Sequence, residues 1–130
     1  MNNTESQFSA HVRKLVKSPE RIMSDLTPGK VNLLHVSFGL GTEVGEMQDA
    51  IKKHVINGKP LDRKNVVEEL GGVLFYYEAI LQSVGVTMDE VRQFNMDQLA
   101  ARFPQGYSDE AARARLDKQA TGETQTSGIA

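Results

Sequence analysis

Three glutamates in two separate segments are the side chains best suited to chemistry in this sequence. Glu43 and Glu46 are three residues apart, and Glu69 lies in a later segment. Residues three apart are surface neighbours on a helix, so a helical segment would present Glu43 and Glu46 together. The chain has no cysteine, and carboxylate oxygens suit Mg²⁺, Mn²⁺ or Ca²⁺ better than zinc. The pattern predicts a divalent-cation site, provided that the two segments lie side by side.

Hydrophobic periodicity places both segments on helices. From about residue 30 to 56, apolar side chains recur at helical spacing, and Asn57-Gly58 followed by Pro60 is a typical helix end. Asp62 is a candidate N-cap for the next helix, which continues to Gly85. Because the connection is short, these two helices are expected to pack antiparallel.

The apolar positions of the two helices place the glutamates at the edge of each core-facing stripe. At about 100° per residue, Glu43 and Glu69 border their stripes, Gly72 occupies the place that matches Glu46, and Tyr76 lies on the same flank. The stripes are Val36, Leu40, Val44, Met47 and Ile51 on the first helix, and Val66, Leu70, Val73, Tyr77 and Ile80 on the second. The simpler alternative is that these are solvated glutamates paired with Lys52, Lys53 or Arg63, since charged runs usually form an exposed face.

The remaining elements are also helical. A helix with a break at Ser18-Pro19 precedes the two long helices, and Thr87 with Glu90 has the form of a capping box that begins another. Ser108 is a candidate start for a fifth, short helix, whereas the sequence from Ala120 onward has little to bury and is expected to be a mobile tail. The fold class is therefore predicted to be all-α, as an antiparallel four-helix bundle with a short C-terminal helix.

Composition narrows the function classes. The 130 residues carry a formal net charge of −2 with dispersed basic residues, so nucleic acid is not an expected partner. No apolar run approaches the length of a membrane span, and residues 1–10 contain no apolar signal region. A cytoplasmic location without a membrane partner is the expectation. The histidines lack the Glu-x-x-His spacing of di-iron bundles, and no P-loop or dinucleotide fingerprint is present.

Several motifs together resemble the MazG-like all-α nucleoside triphosphate pyrophosphohydrolases. They are GLGTEVGEMQDAIKK at 39–53, EELGGVLFY at 68–76, and the ending from Asn95 to Arg102-Phe103-Pro104-Gln105-Gly106. The likeness covers roughly residues 31 to 107. It implies a catalytic domain at 1–107, followed by a short helix and tail at 108–130. It also implies Mg²⁺-dependent hydrolysis of a (d)NTP to (d)NMP and pyrophosphate, with Mn²⁺ as a possible substitute, in a homodimer or homotetramer.

The resemblance also assigns roles to residues. The family pattern is Glu-x-x-Glu followed by Glu-x-x-Asp, which makes Glu43, Glu46 and Glu69 catalytic metal ligands, while Gly72 leaves the fourth ligand position vacant. Tyr76 and Asn95 match nucleotide-binding positions, but a lysine often found three residues after the asparagine is Gln98 here.

Two further residues are candidates for the nucleotide. Lys53 would offset leaving-group charge, or is simply a surface cation near a helix C-terminus. His35 would contact the base, or is a structural histidine.

The glycine at position 72 leaves two functions open. One is a pyrophosphohydrolase weakened by the loss of a ligand, and the other is an inactive nucleotide-binding or interaction bundle with the same fold. If the first is correct, Gly72→Asp should raise both metal affinity and pyrophosphate release.

Overall fold

The fold is helical throughout the part of the chain that the structure describes. A computed structural model describes residues 3–120, and within them it contains no β-strand and no helix long and apolar enough to cross a membrane. The helices are α1 Asn3–Leu15, α2 Pro19–Asp25, α3 Pro28–Val55, α4 Arg63–Val84, α5 Met88–Arg102, α6 Asp109–Ala114 and α7 Leu116–Ala120. The all-α prediction is confirmed. The predicted tail beyond Ala120 lies outside the described residues.

Local sequence signals account for most helix ends. The hydroxyls of Ser18 and Thr27 cap α2 and α3, each followed by a proline in the first turn. The predicted cap at Asp62 is present, because its carboxylate accepts a hydrogen bond from the Asn65 backbone N–H at 3.0 Å. Thr87 and Glu90 form the predicted capping box in full.

The sequence analysis missed α7. Arg115 ends α6 in the left-handed region with a φ of 51°, a conformation that favours glycine. Because this residue is an arginine, no glycine or proline marks the break between the two short helices. The left-handed backbone at Arg115 separates α6 from α7.

The chain divides into two compact units, one ending at Tyr77 and the other beginning at Glu78, so that the division lies within α4. In the first unit, Val36 and Ala50 are the buried residues of α3. In the second unit, Leu81 and Asp117 are buried, and α5 contacts α7. The antiparallel four-helix arrangement and the domain boundary after residue 107 stay predictions.

The core-facing stripes are narrower than predicted. Leu40, Val44 and Met47 are half-buried as expected, but Ile51 is 41% exposed on α3 and Leu70 is 46% exposed on α4. Including those two residues in the core was wrong. On α3, Gly39 and Glu43 face α4, and helical projection places Ile51 about a quarter turn or more away from that face.

A candidate metal centre on α3 and α4

The three predicted glutamates converge within the first unit. Glu43 and Glu46 lie one turn apart on α3, Glu69 lies on α4, and one carboxylate oxygen from each lies within 4.8 Å of the other two. Glu43 and Glu69 are half-buried, whereas Glu46 is exposed. The predicted convergence is confirmed, while the ligand role of each residue stays a prediction.

Two glycines allow α3 and α4 to face each other at this point. A Cβ atom added to Gly72 of α4 would overlap the carboxylate of Glu43, and one added to Gly39 of α3 would overlap the ring of Tyr76. Glu46 and Glu69 also come together across this interface. Since higher numbers on α3 meet lower numbers on α4, the two helices run antiparallel here, as predicted.

Crowding of like charges perturbs the cluster electrostatically. The pKa of Glu46 lies above its ordinary value of 4.5, chiefly because of its hydrogen bond with Glu69, then repulsion from Glu69, desolvation and repulsion from Glu43. No salt bridge joins these three glutamates to a basic side chain within residues 3–120. The cluster is therefore an uncompensated concentration of negative charge.

The lysines expected as alternative partners bind another carboxylate. Lys52 and Lys53 lie 3.0 and 2.7 Å from the Asp49 oxygens. Hydrogen bonds from Lys53 and then Lys52 hold the pKa of Asp49 below its ordinary value, and Asp49 raises the pKa of Lys53. For these two lysines, the alternative in which they neutralise the cluster is therefore wrong.

Asn65 is a site residue that the sequence analysis missed. Its side-chain amide donates a hydrogen bond of 2.8 Å to Oε1 of Glu69, one turn further along α4. This bond orients the Glu69 carboxylate and leaves its second oxygen for another partner. The i, i+4 spacing of an amide and a carboxylate is a signal that could have identified the pair.

The predicted nucleotide-binding residues have diverse surroundings. Tyr76 is half-buried, and its ring makes an edge contact with His35, with centroids 6.3 Å apart. His35 also lines a groove of about 540 Å³ at the start of α3, together with Leu26, Thr27, Pro28, Val31 and Asn32. Lys53 is paired with Asp49. Asn95 is exposed on α5, in the second unit.

Comparison with known proteins identifies one family. The model of the MazG nucleotide pyrophosphohydrolase domain matches residues 35–107, which contain the three glutamates and every predicted nucleotide-binding residue. No curated protein and no solved structure gives a significant match. Helices α1, α2, α6 and α7 lie outside the matched segment.

Proposed function

Because the chain belongs to the MazG nucleotide pyrophosphohydrolase family, we propose that it hydrolyses a (d)NTP to the (d)NMP and pyrophosphate in a reaction that depends on Mg²⁺. The observation that carries the proposal is the cluster of Glu43, Glu46 and Glu69, which lies inside the matched segment. Mn²⁺ is proposed as an alternative ion.

The donor set fits a hard divalent cation. Mg²⁺ is commonly held by one or two carboxylates while waters and substrate phosphates complete its shell. Three converging carboxylate oxygens meet that need, and they leave room for phosphate. When bound, such an ion neutralises phosphate oxygens and makes a coordinated water more acidic.

Each glutamate of the cluster is assigned a role in the proposed reaction. Asn65 fixes the orientation of Glu69, so Glu69 is assigned to holding the ion together with Glu43. Glu46 is the exposed member of the cluster and lies one turn from Glu43 on α3, which suits it to orient the attacking water and take up its proton. No protein nucleophile is required, because water attacks phosphorus directly and pyrophosphate leaves.

Side chains on either side of the cluster are assigned to the rest of the nucleotide. His35 lies eight residues before Glu43 on α3, about 12 Å along the helix axis, and it lines the groove that we assign to the nucleoside. Lys53 lies toward the other end of α3. It would leave its ion pair with Asp49 and offset the negative charge on pyrophosphate instead. Tyr76 and Asn95 are assigned to nucleotide contacts, and the glycine at position 72 is expected to slow turnover.

Exposed apolar faces support a homodimer or homotetramer. Leu34 on α3 and Val67 and Leu74 on α4 are 50%, 68% and 60% exposed, and helical projection places them on faces turned away from the partner helix. Complete burial of one such side chain contributes about 1.5–3 kcal/mol. We propose that a second copy of the chain covers these faces, and sedimentation equilibrium would test this directly.

The proposed reaction is tested by measuring pyrophosphate release from each common NTP and dNTP with Mg²⁺ or Mn²⁺. We expect release from at least one nucleotide, loss of release with EDTA, and loss of release in Glu46→Gln. If the protein binds Mn²⁺ and nucleotide but releases no pyrophosphate, the hydrolase proposal is wrong and the inactive nucleotide-binding bundle takes its place.

A further inference from the structure

The space beside Gly72 is filled by a residue of the candidate metal centre. The Oε2, Cδ and Cγ atoms of Glu43 all lie where a Cβ atom on Gly72 would make forbidden contacts. The carboxylate of Glu43 therefore rests against the bare backbone of α4. This is the position at which the family resemblance implies an absent ligand.

The other glycines of the two helices show that this contact is specific. Gly41, Gly45 and Gly71 have open space on the side where a Cβ would project, since no atom lies within 4 Å of that position. Glycine is disfavoured inside helices compared with alanine, so each of these positions carries that cost. Only Gly39 and Gly72 receive a side chain from the opposite helix.

We propose that Gly72 is a positioning residue, which seats the Glu43 carboxylate in the cluster by having no side chain of its own. A Cβ atom at position 72 would force the Glu43 carboxylate to leave the place that it occupies beside the backbone of α4. The inference rests on the proposed metal site for its functional consequence. Its steric part depends only on the packing of α3 against α4.

The central test is Gly72→Ala, which adds a Cβ atom without adding a ligand. Mn²⁺ affinity, measured by calorimetric titration of the full chain, should fall about tenfold, the scale typical of losing a group that orients a metal ligand. Gly71→Ala and Gly45→Ala are matched controls, because both replace a helical glycine that has open space. Unchanged affinity in Gly72→Ala, or equal losses in all three variants, would overturn the inference.

Gly72→Asp separates the steric effect from the ligand effect. Its Cβ atom also displaces Glu43, but it brings a fourth carboxylate, so its Mn²⁺ affinity should exceed that of Gly72→Ala and rise above that of the parent. If Gly72→Asp and Gly72→Ala bind Mn²⁺ with equal affinity, an aspartate at position 72 does not act as a ligand and the expected gain is wrong. If only Gly72→Ala loses Mn²⁺ affinity, the result supports the positioning role of Gly72.

A thermal double-mutant cycle tests the steric part without metal. In a Glu43→Ala background the overlapping side chain is absent, so Gly72→Ala should raise the unfolding temperature through helix propensity alone. In the parent background that gain should be reduced or reversed. Equal shifts in both backgrounds would refute the inference, even if the protein binds no metal. If Mn²⁺ binding is absent and the shifts differ, the metal site fails and the positioning of Glu43 stands.

Discussion

The two units hold their acidic groups in opposite ways. In the first unit, Glu43, Glu46 and Glu69 converge without a basic partner within residues 3–120. In the second, the Asp117 side chain is only 3% exposed and lies 4.0 Å from Nε of Arg102 and 3.6 Å from Nε of Arg115. Two arginines compensate the buried charge of Asp117. The three glutamates have no basic side chain beside them within residues 3–120.

This difference is the one expected between a structural carboxylate and the carboxylates of the proposed metal site. A buried charge is tolerated only when paired, and Arg102 additionally donates a hydrogen bond of 3.2 Å to the Ala112 carbonyl. Asp117 thus links α7 to α5, inside the second unit. The glutamate cluster has no such internal compensation within residues 3–120, and its remaining stabilisation must come from protons, salt or a bound cation.

The largest expected effect comes from removing a charge from the cluster. Glu69→Gln should lower Mn²⁺ affinity and pyrophosphate release at least about 100-fold, since a direct ligand is expected to matter at least as much as the groups behind it. The same variant should be more stable than the parent without metal, because repulsion on Glu46 is relieved. Calorimetric titration and thermal unfolding measure the two effects, and a loss of metal-free stability would contradict the comparison.

The opposite pattern is expected at Asp117. Asp117→Asn should lower the free energy of unfolding by about 2 kcal/mol, because two guanidinium groups lose their buried counter-charge, while Mn²⁺ affinity stays within about twofold of the parent. Glu110→Gln is the control, since its pair with Arg113 is highly exposed and such pairs contribute about 0–1 kcal/mol. Denaturant unfolding distinguishes the variants, and equal stabilities would show that Asp117 is not structural.

A smaller effect is expected from Asn65, because it hydrogen bonds to the proposed ligand Glu69 but is not itself a proposed ligand. Asn65→Ala should weaken Mn²⁺ affinity about tenfold and leave the α4 cap intact, because the cap uses the Asn65 backbone N–H. Gln93→Ala is a matched control, since it removes the equivalent i, i+4 amide–carboxylate bond to Asp97 on α5. If both variants have the same Mn²⁺ affinity, Asn65 does not orient a metal ligand.

The smallest effect is the pH dependence of metal-free stability. The pKa of Glu46 is raised in the folded chain. Its contribution to the free energy of unfolding is therefore fully present below pH 4.5, the ordinary pKa, and is lost as pH rises through the raised pKa. Mn²⁺ affinity should increase over the same range, as the proton is displaced. Thermal melts across pH with and without Mn²⁺ measure this, and Glu46→Gln should flatten the metal-free profile.

Much of the local structure follows from the sequence alone. The stops at Ser18-Pro19 and Asn57-Gly58, the cap at Asp62 and the Thr87–Glu90 box act within a few residues, so they predict helix boundaries without knowledge of the fold. Periodicity likewise brings Glu43, Glu46 and Glu69 to one side of an antiparallel pair. Asn65 could also have been identified, because its partner is one helical turn away.

Only the tertiary structure decided which atoms meet. The exposure of Ile51 and the closure of Glu43 over Gly72 depend on how far each helix is rotated about its axis, and a periodic pattern specifies that rotation only loosely. The pairing of Asp49 with Lys52 and Lys53, by contrast, is local, because these residues are three and four apart on one helix. The burial of Asp117 could not be predicted locally, because only Arg115 lies near it in the sequence, whereas Arg102 belongs to α5. Spacing along the chain determined which acids could gather and which had a lysine one turn away, and helix rotation determined which side chains meet between α3 and α4.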